Sequence, residues 1–278
     1  MNAWLDPVRA ALDAQTSPLT FFVRDDDAGR DSLRLYRLLD VSQYYGIPVD
    51  LAAIPCDLEG RRGRLLRHAV DHSHGLIAIH QHGFAHINHE ATGRACEFGP
   101  SRSAAEQRRD IAEGRLRLED IFGAPIAGIF TPPWNRCTAV TASCLVDLGI
   151  GVLSRDVSAP LFAIDGLAEL PVHLDWTGRH GTRTGPVMWG ETMARRIADA
   201  GAAIGIMLHH AVMRGEDRRL LAELFAVLGA HPNARMRLMT ELASPGFPAF
   251  NPVRTTPARD AFRRAHDASS ASLHADGE

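Results

Sequence analysis

The chain has 278 residues, 45% of them hydrophobic and 23% charged, with a formal net charge of −3. That length and composition suit one large domain with an ample core, and the absence of an extended basic face argues against nucleic acid as a partner. Cys56, Cys96, Cys137 and Cys144 show no Cys-x-x-Cys spacing and are too few for a disulfide framework, which points to a reducing compartment.

The N-terminal stretch reads as a helix within residues 1–17 and contains no apolar run of the kind a secretory signal needs. No segment reaches the roughly 20 apolar residues of a membrane span, so a soluble, cytoplasmic protein is expected. An aromatic and β-branched strand over Leu19–Val23 then runs into Arg24 and three consecutive carboxylates, Asp25, Asp26 and Asp27, followed by Ala28 and Gly29. Three adjacent like charges repel. Asp31 alone can cap the helix that follows, over Asp31–Leu39. The acidic run is better explained if a cation absorbs one charge while a neighbour stays ionised to work as a base.

A second strand is expected over Pro48–Ile54. The segment from Arg64 to His72 has the pattern of a solvated helix, which sets His68, His72 and His74 aside as surface residues. Seven of the 14 histidines lie between His68 and His89, and the run from His80 to His89 continues directly from the apolar strand Leu76–His80. Imidazoles at the end of a buried strand need partners or a cation to offset desolvation. His82 and His86 are four apart, so one helical turn would point both rings the same way, which suits two nitrogen ligands on one ion at roughly 2.0–2.1 Å. An aspartate of the acidic run supplies the third ligand. His80 is expected to support the site or to pack, and His89 to lie near it or on the surface.

A helix over Ser101–Phe122, with a capping box from Ser103 and Glu106, leads to a strand over Pro125–Phe130 and the stiff turn Thr131-Pro-Pro-Trp134. A helix over Ala139–Leu148, strands over Ile150–Leu153 and Ala168–Val172, the pair Asp175-Trp176 and a helix over Glu191–Ala200 follow. The last elements are a strand over Ala203–Leu208 that runs into His209-His210, a helix over Arg218–Leu228 and a strand over Ala234–Met239. Residues 244–278, rich in Pro, Ala, Ser, Arg and Asp, read as an irregular or disordered tail behind a catalytic domain over 18–243. Strands alternating with helices predict a parallel α/β fold, and in a (β/α) barrel the C-terminal strand ends converge on one face.

Five of these motifs together resemble the polysaccharide deacetylases that carry the NodB-homology domain. The family's Thr-Phe-Asp-Asp-Gly is approximated by Arg24-Asp-Asp-Asp-Ala28, and its His-[Ser/Thr]-x-x-His by His82-Gly-Phe-Ala-His86. Its Arg-x-Pro-Tyr is approximated by Thr131-Pro-Pro-Trp134, its Asp-Trp by Asp175-Trp176, and its Leu-Leu-His-Asp by Met207-Leu-His-His210. The motifs follow in the family's order across most of the chain. The resemblance implies a distorted (β/α) barrel of seven or eight strands, NodB-like, and a hydrolase that removes an N-acyl group, N-acetyl above all, from a carbohydrate or small amide. It implies one divalent metal ion held by Asp27, His82 and His86, Zn2+ first, with Co2+, Ni2+ or Fe2+ as alternatives. Three protein ligands leave an open position for water, whose pKa such an ion lowers towards about 7.

By the same resemblance Asp26 is the general base and His209 the general acid, tuned by Asp175, while Thr131, Pro133, Trp134, Trp176 and His210 are expected along the substrate. Three aspartates compete for two roles. Both Asp25-Asp26 and Asp26-Asp27 match the family's pair, and the glycine close behind favours the second. Thr131 stands where the family has an arginine that orients the catalytic carboxylate, and Arg24 is the expected substitute. Two other functions suit the same residues: a mononuclear iron oxygenase, since two histidines and a carboxylate also make a facial triad, and a non-catalytic carbohydrate-binding relative. The expected partner is a small-molecule or carbohydrate substrate, with a homo-oligomer left open.

Overall fold

The computed structural model describes residues 2–178, 185–201 and 203–243, so the tail expected over 244–278 lies outside the described residues. In chain order the elements are α1 (Asp6–Asp13), β1 (Leu19–Ala28), α2 (Ser32–Tyr45), β2 (Val49–Ala53), α3 (Arg61–Asp71) and β3 (Ile77–His82). They continue with α4 (Ala104–Phe122), β4 (Ile129–Thr131), α5 (Ala139–Asp147), β5 (Val152–Leu153), β6 (Ala168–Glu169) and β7 (Leu174–Asp175). The last are α6 (Pro186–Ala198), β8 (Ala203–Leu208), α7 (Gly215–Ala230), β9 (Ala234–Met236) and α8 (Met239–Leu242). Ser103 and Glu106 form the expected capping box in front of α4, and Asp31 caps α2 by accepting from Arg34 N. Among the described residues no helix is long and apolar enough to cross a membrane.

Every strand pairing is parallel, and the order β6-β5-β4-β3-β2-β1-β8-β7 winds the sheet into a curled barrel. β1 is its longest strand. One edge of β1 carries β8 along Thr20–Asp25, while the other is shared by β9 along Leu19–Phe21 and by β2 from Arg24 onward. The expectation of seven or eight strands meets eight on this path and a ninth, β9, off it. The strand expected over Ala168–Val172 is shorter, β6 over Ala168–Glu169, and Leu170–His173 joins it to β7 at the opposite end of the sheet. That link donates first to the β5 side, Leu170 N to Leu153 O at 2.9 Å, and then to β8, His173 N to Gly205 O at 2.8 Å. One extended segment thus bridges the gap in the barrel.

A parallel sheet is covered on both faces, which is why its strands read as apolar runs. Strand alternation sends Phe21, Val23 and Asp25 outward, towards the helices, and Phe22, Arg24 and Asp26 into the barrel. The outer core joins Phe21, Val23, Val49 and Leu51 to Leu38 of α2 and Leu224 and Phe225 of α7. The inner core joins Phe22, Ile129, Val152 and Met207 to Met239 and Leu242 of α8, which closes the lower end. A side chain at Gly205 would meet the Phe22 ring at 2.3 Å, so that ring fills the bottom of the barrel. Above it lie the buried polar side chains of Arg24 and Asp26, with Met207 beside Arg24. The N-terminal segment belongs to the same core: Trp4, Leu5, Val8 and Leu12 are buried, and Trp4 packs on Trp176 and Trp189 with ring centroids 6.5 and 6.0 Å away.

Candidate metal centre and active site

β1 does not stop at Val23, as expected, but runs through all three aspartates to Ala28. Its pairing with β2 is regular through Asp25↔Leu51 and slips before Ala28↔Ala53, with Asp27 in the left-handed region at φ 68°. Unbroken alternation would turn Asp27 outward beside Asp25. The bulge turns its carboxylate into the barrel mouth instead.

His82 is the last residue of β3 and points inward with His80. His86 reaches it by a route the sequence did not suggest, because residues 83–86 form no helical turn. They make a tight turn with Gly83 at φ 56° and His86 at φ 55°, which brings the two rings to a centroid distance of 5.3 Å. A Cβ at Gly83 would lie 2.1 Å from Glu97 Oε2 and 2.6 Å from Pro133, so the turn admits only glycine there.

His86 Nε2 lies 3.1 Å and His82 Nε2 3.4 Å from Asp27 Oδ1. Among the described residues these three are the one group whose potential ligand atoms all fall within 4.8 Å of one another. Burial works to raise the Asp27 pKa, but the two imidazoles, when protonated, override it and hold the carboxyl far below its ordinary range. The donor set fits a divalent ion on two further counts. Asp27 Oδ1 is buried and accepts no hydrogen bond. His82 donates Nδ1–H to Thr131 O at 3.0 Å, so in the neutral ring a bare Nε2 lone pair faces the carboxylate. A cation would reconcile two acceptors aimed at one point, and separations of 3.1 and 3.4 Å suit donor atoms gathered around one ion.

Asp26, nearly fully buried, stands beside this group. Arg24 grips it with a fork, Nε to Oδ1 at 2.8 Å and Nη2 to Oδ2 at 2.9 Å. The guanidinium is itself fixed by Ser154 Oγ at 2.8 Å and Asn135 Oδ1 at 2.7 Å. Arg24 therefore contacts the carboxylate that the missing motif arginine was expected to orient. Burial raises the Asp26 pKa, but Arg24, His82 and His209 outweigh it and keep the carboxyl below its usual range. His209 Nε2 lies 3.9 Å from Asp26 Oδ2, and its side chain is 27% exposed. His80 is held neutral, its pKa pushed down to about 3 by burial and by Arg24, and it hydrogen-bonds Thr131 Oγ1 at 2.9 Å.

Several expected substrate contacts do not fit their surroundings. Thr131 is fully buried and serves the histidines, through Oγ1 to His80 and through its carbonyl to His82. Pro133 is buried against Gly83. Trp176 is fully buried in the tryptophan cluster and donates Nε1–H to Asp217 O at 3.2 Å. His210 is fully buried with both ring nitrogens used, Nδ1 to Asp25 Oδ2 at 2.6 Å and Nε2 to Arg30 O at 2.7 Å, and no ring N–H remains for a substrate. Asp175 was expected to tune His209, but its Oδ1 instead accepts from Thr177 N and Gly178 N at 3.1 and 2.9 Å, closing its own turn. Trp134 alone of the five stands at the mouth, half-buried, its ring 4.4 Å from that of His86.

His68, His72, His74 and His89 are exposed, as the helix and loop patterns suggested. Sequence reasoning missed Asn135 and Glu97. Asn135 and Ser154 act through Arg24. Glu97 accepts from the backbone of the turn between the two histidines. Its one local signal is an acid set between the apolar Cys96 and Phe98.

No protein-family model matches the chain, and no curated protein matches it. Solved structures do. A Mycobacterium smegmatis protein named as a polysaccharide deacetylase is 17% identical with a TM-score of 0.65, over 83% of this chain and 90% of that one. A family 4 acetyl xylan esterase from Clostridium thermocellum, in complex with a cobalt ion, is 16% identical with a TM-score of 0.53, over 80% and 89%. A family 4 pseudoenzyme from Bacillus anthracis is 11% identical with a TM-score of 0.54, over 82% of this chain and 66% of that one. The barrel described above is therefore the fold shared by polysaccharide deacetylases and family 4 carbohydrate esterases.

Proposed function

We propose that this chain is a metal-dependent hydrolase that removes an acyl group, an N-acetyl above all, from a carbohydrate or small amide. The observation that carries the reading is the convergence of Asp27, His82 and His86 within 4.8 Å beside an Asp26 gripped by Arg24. Asp27, His82 and His86 would hold the ion, Zn2+ or Co2+ by the donor set. Bound there, it would acidify a water and polarise the acyl oxygen. The cobalt ion of the acetyl xylan esterase supports the same choice of metal.

The protein's own groups divide the proton work. Asp26, ionised well below neutral pH, is a weak base whose lone pairs Arg24 aims, and it suits the removal of a proton only from water that has already been made acidic. His209, partly exposed on the far side of Asp26, is placed to protonate the departing amine or alkoxide. Trp134 offers an apolar wall for a sugar ring at the mouth. The same attack on an acyl carbon serves an O-acetyl ester, as the esterase neighbour suggests.

The second reading, a carbohydrate-binding relative without turnover, draws on Thr131 in the place of the motif arginine and on the pseudoenzyme neighbour. Arg24 weighs against it. Acetate release from N-acetyl sugars, with metal content measured in the same preparations, separates the two. Asp26→Asn is expected to keep its metal and lose about 10²–10⁴-fold in turnover. Wild-type protein that binds metal and sugar without releasing acetate would establish the binding reading instead, and bound iron with 2-oxo-acid-dependent oxygen uptake would establish an oxygenase.

A further inference from the structure

His82 and His86 lie in a turn, not on a helix, so the spacing of their nitrogens is no property of a rigid hydrogen-bonded ladder. It depends on what holds residues 83–85. Gly83 N donates to Thr131 O at 3.1 Å, and Phe84 O accepts from Cys56 N at 3.1 Å. The two remaining N–H groups go to a single side chain: Glu97 Oε2 accepts from Phe84 N at 3.1 Å and Oε1 from Ala85 N at 2.8 Å. Glu97 is 1% exposed. The missing side chain at Gly83 leaves the space in which its Oε2 sits.

The support behind Glu97 is rigid as well. Phe98, the next residue, is fully buried, bridges to Cys137 and packs edge-on against Phe130 with centroids 5.3 Å apart. Its carbonyl accepts from Thr141 Oγ1 at 3.2 Å. Glu97 thus projects from a segment locked into the core and takes both free donors of the turn. A carboxylate accepting two backbone N–H groups is a strong and directional brace.

We propose that Glu97 is a positioning residue for the metal centre, which sets the separation of His82 and His86 by clamping the turn between them. It touches neither ion nor substrate. The proposal rests on the hydrolase reading only for the identity of what the histidines bind, and the test keeps the two apart.

Glu97→Ala removes both acceptors, and Glu97→Gln keeps one while turning an NH2 group towards the other N–H. Cobalt is titrated into each metal-free protein and followed by visible absorbance, and amide hydrogen exchange at Phe84 and Ala85 is measured without metal. Cobalt affinity is expected to fall about 10–100-fold in Glu97→Ala and less in Glu97→Gln, with altered absorption bands, while both amides exchange faster than in wild type. A merely structural Glu97 would lower the melting temperature and leave the folded protein's cobalt affinity and bands unchanged, which overturns the proposal. So do amides that stay protected in both variants. Wild-type protein that takes up no cobalt overturns the hydrolase reading instead, and the two amides then decide the clamp alone.

Discussion

Two carboxylate–imidazole groups lie two residues apart on β1 and have opposite chemistry. Asp25 and His210 are saturated: Oδ1 accepts from His210 N at 3.0 Å, Oδ2 from Nδ1 at 2.6 Å, and Nε2 donates to Arg30 O. Burial disfavours the imidazolium, but Asp25 and the Arg30 carbonyl raise the His210 pKa to about 9. Asp27, His82 and His86 meet at similar range with Asp27 Oδ1 accepting nothing. A group with every donor matched to an acceptor holds the fold together. One whose acceptors converge on a common point fits the proposed cation.

Removing an imidazole should therefore do different things at the two sites. His82→Ala is expected to abolish cobalt or zinc uptake in a calorimetric titration while the metal-free protein stays folded, since the lost ring faced a carboxylate oxygen, Oδ1, that accepts no hydrogen bond and Thr131 O keeps Gly83 N. Uptake at wild-type affinity would remove the distinction. His210→Ala leaves the buried Asp25 charge uncompensated and is expected to cost about 3–5 kcal/mol in urea unfolding. A loss under about 1 kcal/mol, the range of a surface ion pair, would break the comparison from the other side.

A third carboxylate is half-satisfied. Asp50, fully buried and turned into the barrel, accepts from Met239 N through Oδ2 at 2.8 Å, and its Oδ1 accepts nothing. Burial, with Glu241 adding to it, raises its pKa from 3.8 to about 8. The folded state then holds a proton that the unfolded chain has released, so this group's contribution is full below about pH 4, declines as pH rises and is gone above about pH 8. In thermal melts Asp50→Asn should match wild type at pH 4 and be the more stable at pH 8, by up to about 1.4 kcal/mol for each pH unit between the two pKa values. Equal midpoints at both pH values would show that the carboxyl is ionised in the fold.

The fold was legible because alternating apolar runs and capped helices are local signals, and strands such as Ala203–Leu208 and the box at Ser103 and Glu106 appear where the pattern puts them. The chain positions of Asp27, His82 and His86 were legible too, but not how they meet. A left-handed residue in a strand at Asp27 and a turn in place of a helix at His86 depend on partners distant in sequence. Burial was the harder quantity. Thr131, Trp176 and His210 adjoin the motifs in sequence, and what removes them from the cavity is packing against His80, Trp4 and Asp25, none of them a sequence neighbour. Glu97 was invisible for the same reason, since its acceptors serve N–H groups from an earlier loop.

The tryptophans carry a consequence for spectroscopy. Trp4, Trp176 and Trp189 form one cluster, with the rings of Trp176 and Trp189 only 4.4 Å apart. Their ultraviolet emission reports whether the N-terminal segment stays docked on the barrel. The fourth, Trp134, lies alone against His86 at 4.4 Å, close enough for a paramagnetic ion at the histidines to quench it. The chain thus carries two native fluorophore sites, one reading the integrity of the scaffold and the other the occupancy of the proposed centre.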